Sequence, residues 1–83
     1  MPTVAVIDGV KIQFYPAEHP PPHFHAVIAE FTAQIGIDPV VVLKGSLPPN
    51  KRQDVLNWAT HHRDQLLEAW TTMAAGRKPG WIE

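Results

Sequence analysis

The feature that most constrains the fold is a change of period. From Thr3 to Leu43 apolar residues recur at every second position, whereas from Val55 onward they recur at every third or fourth. A period of two belongs to half-buried strands and a period near 3.6 to an amphipathic helix. The chain therefore reads as α+β: a small, mainly antiparallel sheet of four or five strands packed on one long C-terminal helix. Eighty-three residues suffice for one modest core, so a single domain over 1–83 is expected, with strands within 3–44, a helix over about 49–75 and a tail at 76–83.

Local signals place the elements. Thr3 to Ile7 is rich in β-branched residues and runs into Asp8-Gly9, the pair that favours a tight two-residue hairpin turn. Val10 to Tyr15 returns, with Val10, Ile12 and Phe14 on one face and Lys11, Gln13 and Tyr15 on the other. Prolines at 16, 20, 21 and 22 remove backbone donors and stiffen the following loop. Alternation resumes at His23, putting Phe24, Ala26 and Ile28 on one face and His23, His25 and Val27 on the other. Thr32 to Ile37 and Val40 to Leu43 read as the last two strands.

Pro48 and Pro49 suit a first helical turn, and Asn50 with Gln53 resembles a capping box. Val55, Ala59, His62, Leu66, Trp70 and Met73 then form one continuous stripe that stops at Gly76, before Pro79. One helix covers one face of a sheet. The other face is expected to meet solvent or another chain.

Composition excludes several classes. Without cysteine there are no disulfides and no thiolate metal sites, leaving His, Asp and Glu as metal ligands. The net charge is −1, and the six basic residues after Leu43 are scattered, so direct nucleic-acid binding is not expected. Met1 to Asp8 has neither a basic nor a long apolar leader region, and no apolar run approaches the ~20 residues of a membrane span; a cytoplasmic location is the expectation.

Glu18-His19-Pro20-Pro21-Pro22-His23-Phe24-His25 is the strongest candidate site, with three imidazoles and a carboxylate within eight residues. Two positions apart on a strand, His23 and His25 project to one side about 6 to 7 Å apart, within reach of one ion. The metal reading takes His23 and His25 as ligands with His19 or Glu18 as the third, suited to zinc, nickel, copper or iron. Two other readings stand beside it. The prolines form a rigid connector whose histidines bond backbone carbonyls, or the segment is a recognition loop. His23-x-His25 followed by Glu30 also has the H-x-H-x4-E spacing of cupins, but the second cupin motif is missing and the chain is too short for a full jelly roll.

His62 lies on the apolar stripe and is read as a packed residue bonded to a nearby carbonyl; His61 points to solvent. Neither is expected to join the strand histidines, which face away from the helix if Phe24 faces it. Trp81 lies beyond the helix, where a large apolar side chain folds back or docks on a partner. Partner binding through Tyr15, His23, His25 and Trp81 ranks ahead of catalysis, since the chain shows no cysteine nucleophile, nucleophile elbow or phosphate-binding glycine loop.

The segments Met1-Pro2-Thr3-Val4, Asp8-Gly9, Glu18 to His25, Gly45-Ser46-Leu47-Pro48 and Trp58 together resemble the bacterial domain-of-unknown-function family 4160, whose E-H-x-P-P-H-x-H segment is matched here. The resemblance carries no established activity, cofactor or ligand set. It implies a genetic context similar to two-gene, toxin-antitoxin-like modules, and hence a protein partner, the adjacent-gene product or a second copy. The turn at Ala29-Glu30-Phe31 departs from the glycine that relatives tend to carry.

Overall fold

The computed structural model describes residues 2–82. Five strands, β1 (Thr3–Ile7), β2 (Val10–Gln13), β3 (His23–Ile28), β4 (Phe31–Gly36) and β5 (Val42–Gly45), precede two helices, α1 (Pro49–His61) and α2 (Arg63–Ala74). The sheet is an antiparallel meander in the order β1-β2-β3-β4-β5. That order is what short connections dictate, because each hairpin returns its strand beside the previous one. The Asp8-Gly9 turn has positive φ at both residues, 50° and 81°, as a type I′ turn requires. In the β3–β4 turn Ala29 adopts a φ of 51°, a left-handed conformation in which a Cβ is strained.

The expected α+β architecture is present, but the single long helix is not. The helical path breaks at His62, whose φ of −123° lies outside the helix. Three consecutive side chains turn back on the preceding turn: Thr60 Oγ1 donates to the Leu56 carbonyl, His61 Nδ1 to Asn57 and His62 Nδ1 to Trp58. Side chains that claim carbonyls four residues back compete with the helical ladder, and the His62 amide slips to the Ala59 carbonyl. Arg63 then opens α2 and reaches Asp38 at 3.3 Å.

Three boundaries also differ. The first helix is preceded by Pro48 with no side-chain cap, Asn50 lies inside it, and Gln53 donates to Asn57, so the expected capping box does not form. The last strand starts at Val42 rather than Val40, since the chain bends through Ile37 to Pro39 before pairing. The second strand ends at Gln13, although the Phe14 amide still reaches the Pro2 carbonyl.

The helices cover one sheet face. Ile12, Phe14, Phe24 and Ile35 are sealed from solvent beneath Val55, Ala59 and Leu66, and Trp58 meets Phe24 edge to face at 6.4 Å. Each such side chain contributes roughly 1.5 to 3 kcal/mol by leaving water. On the opposite face the register lines up Gln13, His25, Gln34 and Lys44 across four strands. The tail splits: the Ile82 amide bonds to the Val4 carbonyl and its side chain is buried, while Trp81 is 60% exposed. Among the described residues no helix is long and apolar enough to cross a membrane.

Candidate metal centre

The chain reaches the site by doubling back. After β2, Tyr15 leads into a turn at Pro16 and Ala17, where Ala17 takes a φ of 58°. Glu18 is thereby returned over the start of β3. Pro20 to Pro22, with a cis bond between Pro20 and Pro21, delivers the chain into β3. The loop is pinned at its exit, where the Ile37 amide bonds to the Pro22 carbonyl.

Glu18, His23 and His25 meet. One ligand-type atom from each lies within 4.8 Å of the others, and this is the one cluster of three such residues found among the described residues. His25 Nε2 is hydrogen-bonded to Glu18 Oε1, and Tyr15 stacks flat on the His25 ring, with centroids 4.0 Å apart and planes 5° from parallel. Burial pushes the Glu18 carboxyl up. The hydrogen bond and charge of His25, with a smaller pull from His23, outweigh that and hold it below its ordinary 4.5.

His23 is 94% buried, being 6% exposed. Its Nδ1 lies 2.8 Å from the Pro21 carbonyl oxygen. A carbonyl only accepts, so Nδ1 carries the proton and a neutral ring has its lone pair at Nε2. That Nε2 is buried with no hydrogen-bond partner, yet faces Glu18 Oε1 at 3.4 Å. With His23 neutral, a buried lone pair and a quarter-exposed carboxylate, both acceptors, confront each other, an arrangement resolved by a proton on Nε2 or by a metal cation between them.

The sequence-derived candidates separate accordingly. His23, His25 and Glu18 converge, whereas His19 is exposed on the loop and outside the cluster. Glu30 sits in the turn at the far end of β3. His61 and His62 stay on the helical side, His62 bonded to the Trp58 carbonyl and stacked on its indole at 4.8 Å. One expectation needs correction: His23 does not face wholly away from the helices. It stands at the N-terminal end of β3, where the ring of Trp70 from α2 lies 5.1 Å from its own. Trp70 fits the core stripe by spacing, and only the docking of α2 on β3 brings it to the site. Tyr15 is in the site through its stack, and Trp81 is on the tail, distant in sequence and not among its contacts.

The family described as Domain of unknown function (DUF4160) matches residues 9–71. The chain belongs to that family. The DUF4160 match runs from the first turn to Thr71 in α2, and so takes in the whole Glu18 to His25 segment and Trp70. Comparison with curated proteins and with solved structures gives no match.

Proposed function

We propose that the protein binds a divalent metal ion through His23 Nε2, His25 Nε2 and the Glu18 carboxylate. The observation that carries this reading is the buried, unpartnered Nε2 of His23 facing the carboxylate. A metal ion would satisfy both acceptors and take the hydrogen-bonded His25 nitrogen as its third donor. The Pro21 carbonyl would then serve as the outer partner that fixes the tautomer and aim of His23. Nitrogen and oxygen donors suit zinc, nickel, copper or iron, and three protein ligands leave a coordination position for water or another molecule.

Calorimetric titration of metal-free protein with zinc, nickel and copper tests the reading. At least one ion should bind with Kd below about 10 µM, and the double variant His23→Ala, His25→Ala should lose that binding. Weaker binding, or equal binding by the variant, would remove the metal and leave these histidines a structural role.

A second reading is favoured by the exposed apolar residues Val6, Val41, Leu43 and Trp81: the protein acts as the interaction component of a two-gene, toxin-antitoxin-like module. The two readings overlap, because the expected partner surface of Tyr15, His23, His25 and Trp81 includes two residues of the metal cluster, and of the four only Trp81 stands clear of it. Light scattering of the protein alone and with the product of the adjacent gene decides the second. A strict monomer that ignores that product contradicts it.

A further inference from the structure

The metal cluster is not closed on all sides. Glu18, Tyr15 and Trp70 line one end of a cleft of about 130 Å3 whose other wall is Met73. Met73 also lines a second, larger cavity of about 330 Å3, which ends at Arg77 and Lys78. The opposite wall is equally continuous, since Tyr15 and Ala17 border the first cavity and Pro16, between them, borders the second. The two cavities therefore adjoin at Met73, making a candidate groove. Trp70 and Met73 are three apart on one side of α2, and Arg77 follows the end of the helix past Gly76, whose φ of 78° turns the chain out of it. Together the cavities run from Glu18 to Lys78.

The chemistry changes along that length. At one end stand Glu18 of the cluster and an aromatic wall, in the middle a methionine and a proline, and at the other end two cations. Arg77 and Lys78 are exposed and enter no ion pair among the described residues. Their charges are thus available at the mouth of an apolar slot, a combination that complements a molecule with an apolar body and an anionic head.

We infer that this groove binds a small organic oxyanion, a carboxylate or phosphate ester carrying an apolar chain or ring. The anion rests on Arg77 and Lys78, the body lies against Met73 and Trp70, and the far end is presented to the open position of the metal. Only this last element rests on the proposed metal centre. Methionine suits such a slot because its flexible, polarizable side chain adapts to irregular shapes.

The test uses full-length metal-free protein and octanoate, octyl phosphate and the uncharged octanamide, followed by amide and methyl chemical shifts in NMR titrations. Octanoate or octyl phosphate should bind about two- to fivefold more tightly than octanamide, the preference that an exposed charge contact supplies. Whichever anion is preferred identifies the head group. Shifts should concentrate at Trp70, Met73 and Arg77, and the double variant Arg77→Ala, Lys78→Ala should abolish the preference while keeping the folded spectrum. Equal binding of octanamide, no binding of either anion, or shifts centred elsewhere would overturn the groove.

The metal-dependent half is read on zinc-treated protein with suberic acid monohydroxamate, which joins a carboxylate to a zinc-binding group across an apolar chain. It should bind at least about tenfold more tightly than octanoate, which is about 1.4 kcal/mol. The absence of any gain in protein that holds zinc contradicts presentation to the metal. Failure to take up zinc at all, with the preference for anions intact, removes the metal centre but leaves the groove standing.

Discussion

At the residue scale, the decisive group is Glu18, and its ionisation gives the site a pH signature of its own. Its folded-state value lies below the ordinary 4.5, because His25 and His23 favour the carboxylate more than burial disfavours it. A depressed carboxyl stabilises the fold fully above the unfolded value and loses that contribution as pH falls through the folded one. Urea denaturation of metal-free protein should therefore show stability declining as the pH drops below about 4.5. Glu18→Gln should remove part of that decline. An unchanged pH profile in the variant would mean that the carboxylate is not held by the histidines.

Backbone strain belongs to the same scale. Ala29 occupies a left-handed φ of 51° that costs an L-residue about 1–2 kcal/mol, against the 0.5–1 kcal/mol entropy penalty of glycine. Ala29→Gly should stabilise by roughly 0.5–1 kcal/mol in the same denaturation assay. Gly45 is the converse case: φ is 78° and a Cβ would stand 2.2 Å from the Thr32 carbonyl oxygen, so Gly45→Ala should destabilise clearly. The sequence pointed to the triad's histidines through their two-residue spacing on a strand. It could not choose between Glu18 and His19, because that choice depends on a loop whose path is set by the turn at Pro16-Ala17.

At the scale of elements, the sheet is legible because its period is two and its turns carry their own chemistry. Asp8-Gly9 fixes the first hairpin, and the prolines mark the gap before β3. The helix break at His62 is not legible in the same way. The apolar stripe runs through it without a proline or glycine, and the cause is three side chains bonding backwards, a choice of rotamers rather than of residue types. Trp70 is hidden for a related reason, since helical spacing gives a face but not what that face meets. The joint between layers is Phe24, fully buried and packed edge-on against Trp58 of α1. Truncating such a residue costs about 3–5 kcal/mol, a large share of the roughly 5–15 kcal/mol that holds a small domain together. Phe24→Ala should accordingly lower the urea midpoint severely or leave the chain unfolded at 25 °C. A loss below 1 kcal/mol would mean that this layer contact is not what anchors β3.

At the scale of the whole molecule, the order of elements explains why a site exists at all. A meander of short strands puts β3 in the middle of the sheet, with the proline loop at one of its ends. The helices, confined to one face, reach that end through α2, so that Trp70 walls the cluster on one side while Tyr15 covers it on another. Burial of His23 follows, and with it an imidazole nitrogen that no other described group satisfies. The open sheet face was expected from the helix count, whereas the enclosure of His23 at its margin arises only when the layers are assembled. Whether a metal cation sits between His23 and Glu18 is read directly by anomalous diffraction at the zinc edge from crystals grown with zinc. A peak is expected about 2.0–2.2 Å from His23 Nε2, His25 Nε2 and a Glu18 oxygen. A zinc peak at His19, His61 or His62 alone, or no peak with His23 Nε2 still facing the carboxylate, would contradict the metal reading.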